Sequence, residues 1–482
     1  MRHNGDEVTT QRSDSTRTTW LLPLGLCAGY FLVLLDVTVV NVALPRLDTD
    51  LHAGAGLAWV VDAYTVPLAA LLLAAGAVGD RIGHRRMVLT GFAGFGVASI
   101  VCALSPTSGV LIAGRALQGT AAALMLPGTL AMLSQAAPSE KARASAIGRW
   151  AAVGGAALPA GPVFGGLLVQ AAGWRAVFWL GVPVIIAVLA AVLTSTTGSP
   201  RPARHPSERS SSPPNRILGR TVDWPGAILL TVLLGCAVTA IIQGPSNTAL
   251  GGAMVATAAC AGSALWLVER RAPQPLLRVP TVARQPLVRA CGVAAVMNLC
   301  AQGALFVLTQ VFQAVHGLSP LVAGMVMLPA MVPLPLLGTT SGRRTNKVGP
   351  WRTSALGLLI AVVGFGGLAL SLRAGNGPVD YPILLCSLAV WGCGIGVLTP
   401  GIVTAAMRAV PDSPGTASGA SNTSRQAGGA IGVALFGAIA GTPTGAGFAD
   451  HVSALMWGGA AAFLLAAVPC VLPIRSPGHD QG

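Results

Sequence analysis

GAVGDRIGHRR (76–86) joins two long apolar runs and packs Asp80, Arg81, His84, Arg85 and Arg86 into one short turn. Only 10% of the residues in this chain are charged, so that concentration asks for a reason. A second stretch, GRRTNKVGPWR (342–352), has the same length. Gly76, Gly83 and Arg86 match Gly342, Gly349 and Arg352 outright, and Asp80, Arg81 and Ile82 match Asn346, Lys347 and Val348 in kind. One charged turn used twice, far apart, is the mark of a chain built from two related halves.

The runs on either side of the turn set the fold class. The chain has 482 residues, 53% of them hydrophobic, and a mean hydropathy of +0.68. Apolar runs of roughly 20 residues are long enough to cross a bilayer as helix, and they recur from about residue 20 to residue 474. Lipid offers no partner to an open backbone, and strand-like alternation is absent, so the spans are helices. Gly (61) and Pro (34) are too frequent for an ordinary soluble bundle but suit closely packed membrane helices. The expectation is an all-α polytopic membrane protein with fourteen spans, 175–195 and 319–341 among them.

The net charge of +14 then reads as topology. Cytoplasmic loops collect Lys and Arg. With the N-terminus inside, the inner segments hold Arg81, Arg85, Arg86, Lys141, Arg143, Arg149, the Arg-rich stretch 201–220 and Arg343, Arg344, Lys347 and Arg352. The outer segments hold only Arg46, Arg175 and Arg373. Both ends are therefore expected in the cytoplasm, and the protein in the cell membrane, multi-pass. A nucleic-acid partner is excluded, because the basic residues alternate with spans instead of lining one face. The nine Cys show no CxxC or zinc spacing, so no metal is expected. No GxxxxGK[ST] is present, which disfavours an ATPase. The seven His form no catalytic cluster, so the chain is not read as an enzyme or sensor.

The repeat orders the spans. The tail 1–19 leads into six spans over 20–195. A Ser-, Pro- and Arg-rich linker, 196–222, follows, then two additional spans over 223–268. A second six-span set covers 287–474, and a tail, 475–482, ends the chain. The charged turn sits between the second and third span of each set, and internal repeats at this scale are how many secondary transporters are built.

This pattern resembles the major facilitator superfamily, and within it the fourteen-span drug:proton antiporters, which include actinobacterial antibiotic exporters of the methylenomycin-resistance type. The likeness covers nearly the whole chain. It is carried by LDVTVVNVALP (35–45), WVVDAYTV (59–66), the turn at 76–86, GRALQG (114–119), GPVFGG (161–166), FQAVHGLSPLVAGMVMLP (312–329) and SNTSRQAGGAIG (421–432). Ala157 stands where the span-five motif usually has Gly, and His84 where a basic residue is usual. The resemblance implies a major facilitator fold, two six-helix bundles plus two extra central helices, and a monomer in the bilayer. It also implies export of a small drug or antibiotic in exchange for protons, with no other cofactor. An uptake symporter of the same fold is the alternative.

Charges placed in spans supply the candidate residues, because a carboxylate in lipid is costly unless paired or neutralised. Asp36, Asp62 and Arg115 fall at similar depth, and two readings are open: a structural ion pair, or proton coupling, which the resemblance favours for Arg115. Gly76, Asp80, Arg81, Gly83, Arg85 and Arg86 are either a plain positive-inside turn or a conformational latch acting through charge and helix dipoles. Gly161, Pro162, Gly165 and Gly166 are either small-residue packing or the hinge and seal of an antiporter. Asn41, Tyr64, Gln118, Asn298, Gln302, Gln310, Arg425 and Gln426 are the candidates for lining a substrate cavity, Arg425 being equally placed to face the cytosol. Asp223 reads as a helix N-cap, and GCGIG (392–396) as close packing. The two additional spans have no role that the sequence supplies.

Overall fold

The computed structural model describes residues 6–137, 139–194, 224–271, 281–372, 380–410, 414–443, 445 and 447–472. The linker 196–222, Asp223 and the tail 475–482 lie outside the described residues, and the tail 1–19 is described only as backbone from Asp6.

Every regular element among the described residues is helical. The first half holds α1 (Asp6–Leu51), α2 (Leu57–Ile82), α3 (His84–Ala103), α4 (Ser108–Gln135), α5 (Glu140–Ala172), α6 (Arg175–Trp179) and α7 (Gly181–Thr194). Next come α8 (Trp224–Gln243) and α9 (Thr248–Arg271). The second half holds α10 (Thr281–Gln310), α11 (Pro320–Met331), α12 (Pro333–Val348), α13 (Pro350–Leu372), α14 (Tyr381–Ala409), α15 (Pro414–Ala440) and α16 (Phe448–Val471). Twelve of the described helical stretches are long and apolar enough to cross a membrane. The count of fourteen does not follow from length and composition alone. Among the described residues the apolar stretch counted in α2 is Leu57–Leu72, and α15 carries the polar run 421–426. Two of the spans each consist of two helices: 175–195 is interrupted at Leu180, between α6 and α7, and 319–341 at Val332, just before Pro333. Proline lacks the N–H that a continuous helix needs there.

The two halves pack alike. In the first, α1 lies on α5, α4 lies between α2 and α3, and α7 covers α1 and α3. In the second, α10 lies on α15, α14 between α12 and α13, and α16 covers α13 and α10. Equivalent helices take equivalent neighbours. Small residues allow the close approaches: Gly392 meets Ala330 of α11 while Gly394 meets Ala361 of α13, so GCGIG packs on two sides at once. Between the halves, α2 lies against α15 and α5 against α11, again an equivalent exchange.

The charged turn and its echo share a backbone conformation. Gly83 has φ 90° and ψ 133°, Gly349 has φ 99° and ψ 155°, and each donates its N–H at 3.0 Å to a carbonyl four residues earlier. A side chain at this φ crowds the following carbonyl, so glycine is required. Ala at either position is expected to cost about 1–2 kcal/mol. Thermal unfolding in detergent checks this: Gly83→Ala and Gly349→Ala lower the midpoint, while Ala at Gly235, which meets open space in mid-helix, does not.

The additional helices have a definite place. Leu234, Val238 and Ile242, one face of α8, are buried in the core they share with α2 and α15. The α8–α9 pair thus sits across the seam between the bundles, held by α8.

Candidate transport site

Arg115 is the best-satisfied charge in the interior. It is 1% exposed, on α4, and its Nη1 donates to Asp36 Oδ2 of α1 at 2.5 Å and to Gln118 Oε1 at 2.8 Å. Its Nε donates to the Val60 carbonyl of α2 at 2.9 Å. The Tyr64 ring lies 4.4 Å from the guanidinium carbon, and the Tyr64 hydroxyl donates to the Val33 carbonyl at 3.3 Å. Gln118 in turn donates from Nε2 to Ser99 Oγ of α3 at 2.9 Å. One guanidinium therefore ties four helices together, and a small cavity lined by Asp36, Ser99, Phe95 and Phe178 opens beside the carboxylate. Burying such a pair is costly unless its donors and acceptors are met, and here Nε and Nη1 both find acceptors. Asp62 does not join it. Fully buried on α2, Asp62 accepts from Thr65 Oγ1 at 3.4 Å through Oδ1, and its Oδ2 has no partner.

GPVFGG lies where α5 meets both α1 and the other bundle. A Cβ on Gly161 would land on Thr38, and one on Gly165 would press on Val39 and Val42, all on α1. A Cβ on Gly166 would run into the Pro320 and Leu321 backbone of α11, and one on Gly324 of α11 into the Pro162 carbonyl. Nearby, Gln313 donates from Nε2 to the Val42 carbonyl at 2.9 Å, reaching from the second half to α1 out of the π-helical stretch Val311–Val315. These contacts close the bundles together at the end away from the start of α1.

At the opposite end, Arg85 donates from Nη2 to the Val192 and Leu193 carbonyls at 3.1 and 3.2 Å, capping the last turn of α7. A cation here meets the last carbonyls of the helix and the negative end of its dipole. Arg81 and Arg86 are exposed, and the side chains at Gly76 and Asp80 lie outside the described residues.

The other candidates divide. Tyr64 and Gln118 belong to the Arg115 network. Asn41 donates from Nδ2 to the Val37 carbonyl at 2.7 Å and Gln310 from Nε2 to the Phe306 carbonyl at 3.1 Å, each within its own helix. Asn298 and Gln302 of α10 lie against Gly429 of α15. Gln426 and Arg425 are half-buried on α15, with Arg425 in electrostatic reach of Tyr30 on α1. Tyr30 and its stacking partner Trp150 escaped the sequence reading, as did Ser99 and the Val60 carbonyl. The available signal for Tyr30 was scarcity, since the chain has only three Tyr.

The Major Facilitator Superfamily model matches residues 26–433. The chain belongs to that superfamily. Among curated relatives it is 34% identical to the drug efflux pump JefA of Mycobacterium tuberculosis (strain CDC 1551 / Oshkosh) over 85% of this chain and 78% of that one. It is 33% identical to the tetracenomycin C resistance and export protein of Streptomyces glaucescens, over 89% and 78%. It is also 33% identical to the methylenomycin A resistance protein of Bacillus subtilis (strain 168), over 94% and 92%. Among solved structures it resembles a POT family transporter in complex with 5-aminolevulinic acid (TM-score 0.66, 13% identity, 92% of this chain and 95% of that one). The human organic anion transporter MFSD10 has a TM-score of 0.61 at 16% identity, over 94% and 99%. At these identities the structural likeness carries the fold alone.

Proposed function

We propose that this superfamily member is a drug or antibiotic efflux transporter that exchanges its substrate for protons by alternating access. Export rests on the curated relatives, which are efflux, resistance and export proteins along most of their length. The observation that carries proton coupling is the buried Asp36–Arg115 pair, whose Asp36 lies on the same helix as the Val42 carbonyl that Gln313 reaches from the other half. Asp36 faces Arg115 of α4, while Thr38, Val39 and Val42 of the same helix press on the GPVFGG glycines of α5. A proton arriving at Asp36 cancels its attraction for Arg115. The guanidinium keeps Gln118, the Val60 carbonyl and the Tyr64 ring, and α1 becomes free to shift against α4. Because α1 also fills the glycine contacts of α5, that shift is transmitted to the place where α5 meets α11.

Supporting this reading, Asp62 offers a second buried carboxyl on α2, which lies against α15 across the seam. We assign α2 and α15 as membrane-crossing along with the twelve apolar stretches, which makes fourteen spans. Both termini then lie in the cytoplasm, by the Lys and Arg distribution, and the end sealed by Gly166 and Gln313 faces outward. The turn at 76–86 acts as a latch through the Arg85 cap on α7.

Everted membrane vesicles with an acidic interior test the proposal. A panel of cationic dyes and of neutral and acidic antibiotics is added, and proton release is followed. An exported compound is expected to release protons from vesicles that contain the protein and not from vesicles without it. Accumulation without proton movement would overturn the coupling, and flux in the opposite direction would make the protein an uptake symporter.

A further inference from the structure

The interior holds a second guanidinium, and its surroundings are the reverse of those of Arg115. Arg425 is half-buried on α15, about 16 Å along the helix from Pro414. Its Nε is sealed from the surface and has no hydrogen-bond partner, and no carboxylate among the described residues pairs with it. One turn earlier on the same face, the buried Ser421 hydroxyl is also without a partner. Across the seam, Tyr30 of α1 and Trp150 of α5 are stacked, ring centroids 3.6 Å apart and planes 9° from parallel. Trp150 lies about 15 Å along α5 from Glu140, a depth that matches Arg425. Gly154, one turn beyond Trp150, holds the slot open: a Cβ there would strike the Tyr30 ring. Both aromatic side chains are half-buried, and the Trp150 Nε1 is buried with no acceptor. Arg149 is exposed beside it.

An unpaired buried polar group costs about 1–3 kcal/mol, more if charged. Native interiors avoid this, as the Arg115 network shows. Here the Arg425 Nε, the Trp150 indole N–H and the Ser421 hydroxyl all remain unmet, and Arg425 lies in electrostatic reach of Tyr30 from the opposite bundle. Among the described residues no carboxylate pairs with Arg425, and what the site offers is unmet donors and ring faces. A cation would meet Arg425 with nothing to offset the repulsion.

We infer that the Tyr30–Trp150–Arg425 cluster is a substrate site for planar aromatic compounds that carry an anionic group, a carboxylate or phenolate. The ring stacks against the aromatic pair, and the anion takes the free Arg425 and Trp150 donors. The site spans both bundles, so an occupant is touched by the parts that move. This inference rests on the efflux reading and names its substrate class.

Four probes separate the contributions in the purified full-length protein, with binding measured by equilibrium dialysis. They are 2-naphthoate (planar, anionic), 2-naphthamide (planar, neutral), cyclohexanecarboxylate (anionic, not planar) and 2-naphthyltrimethylammonium (planar, cationic). The expected order puts 2-naphthoate first. Arg425→Gln weakens 2-naphthoate at least tenfold and leaves 2-naphthamide within twofold, while Arg425→Lys retains the preference for the anion. Trp150→Leu weakens 2-naphthoate and 2-naphthamide alike. In the unaltered protein, equal or tighter binding of the cationic probe overturns the inference, whether or not any variant folds. Equal loss of all probes in Arg425→Gln does the same. Export in the vesicle assay keeps the two readings apart. If cationic dyes are exported and 2-naphthoate does not bind, efflux stands and the substrate class falls. If no compound is exported but 2-naphthoate binds through Arg425, the site stands and efflux falls.

Discussion

Asp36→Asn is expected to lower substrate-dependent proton release more than 100-fold while leaving substrate exchange across the membrane measurable. Asparagine keeps an oxygen at the place of Oδ2, so Arg115 retains an acceptor, but it carries no charge and takes up no proton. The Arg115 network then stays in one state whatever the pH on either side. Counterflow, in which labelled substrate exchanges for unlabelled substrate without net proton movement, needs only that the bundles rock with substrate bound. Loss of proton release with counterflow retained is therefore the signature of a broken coupling step, whereas a misfolded protein loses both. Arg115→Ala differs in kind. It leaves Asp36 buried without its counter-charge, and breaking a buried pair in this way costs about 3–5 kcal/mol, so this variant should also unfold at lower temperature. Arg115→Lys keeps the charge but not the planar fork that meets Asp36, Gln118 and the Val60 carbonyl together, and should fall between the two. Full proton release in Asp36→Asn would show that the pair is only structural.

That pair was legible in the sequence because lipid makes isolated charge so costly. An Asp in the first span and an Arg in the fourth had few partners other than each other, and similar depth brought them together. The same argument drew in Asp62, and there it went too far. Asp62 lies on α2 two residues before Tyr64, and residues two apart on a helix point in different directions. Tyr64 faces Arg115, while Asp62 turns elsewhere and finds only Thr65.

The repeat was legible for a different reason. Gly83 and Gly349 occupy a backbone conformation that side chains resist, so the spelling of the turn reports its geometry directly. The seat of α8 was not legible, because a helix apolar on all sides carries no mark of which face meets protein and which meets lipid. Nor was the break at Val332 read from Pro333, since membrane helices tolerate proline when neighbours supply the missing bonds. The Tyr30–Trp150 stack joins residues 120 positions apart in sequence, and Arg425 comes to it only through the contact between bundles. Local pattern contains none of that.

The seam yields the second large effect. Gly166→Val and Gly324→Val should each shift the protein away from the arrangement described here and toward one in which the α5–α11 end is open. The Cβ of residue 166 would meet the Pro320 and Leu321 backbone, and that of residue 324 the Pro162 carbonyl. Backbone cannot rotate aside as a side chain can, so the helices must separate. Overpacking of this kind costs about 1–3 kcal/mol, which corresponds to roughly a 5- to 150-fold change in the ratio of two conformations. The cost applies only while this end is closed, so the open arrangement gains by the full amount. Cysteine labelling reads the shift. A Cys at Val42, whose carbonyl receives the Gln313 bond, should react faster with a membrane-impermeant reagent in either valine variant than in the parent with the same Cys. Export should fall in parallel, because a transporter that cannot close one end cannot complete a cycle. The double variant discriminates further. If both glycines act at one closure, the second valine adds little once the first has opened the seam, and their effects on labelling are less than additive. Equal labelling in parent and variants would mean that α5 and α11 absorb the added carbons without parting, and the glycines would then serve packing within each helix pair and not the seal.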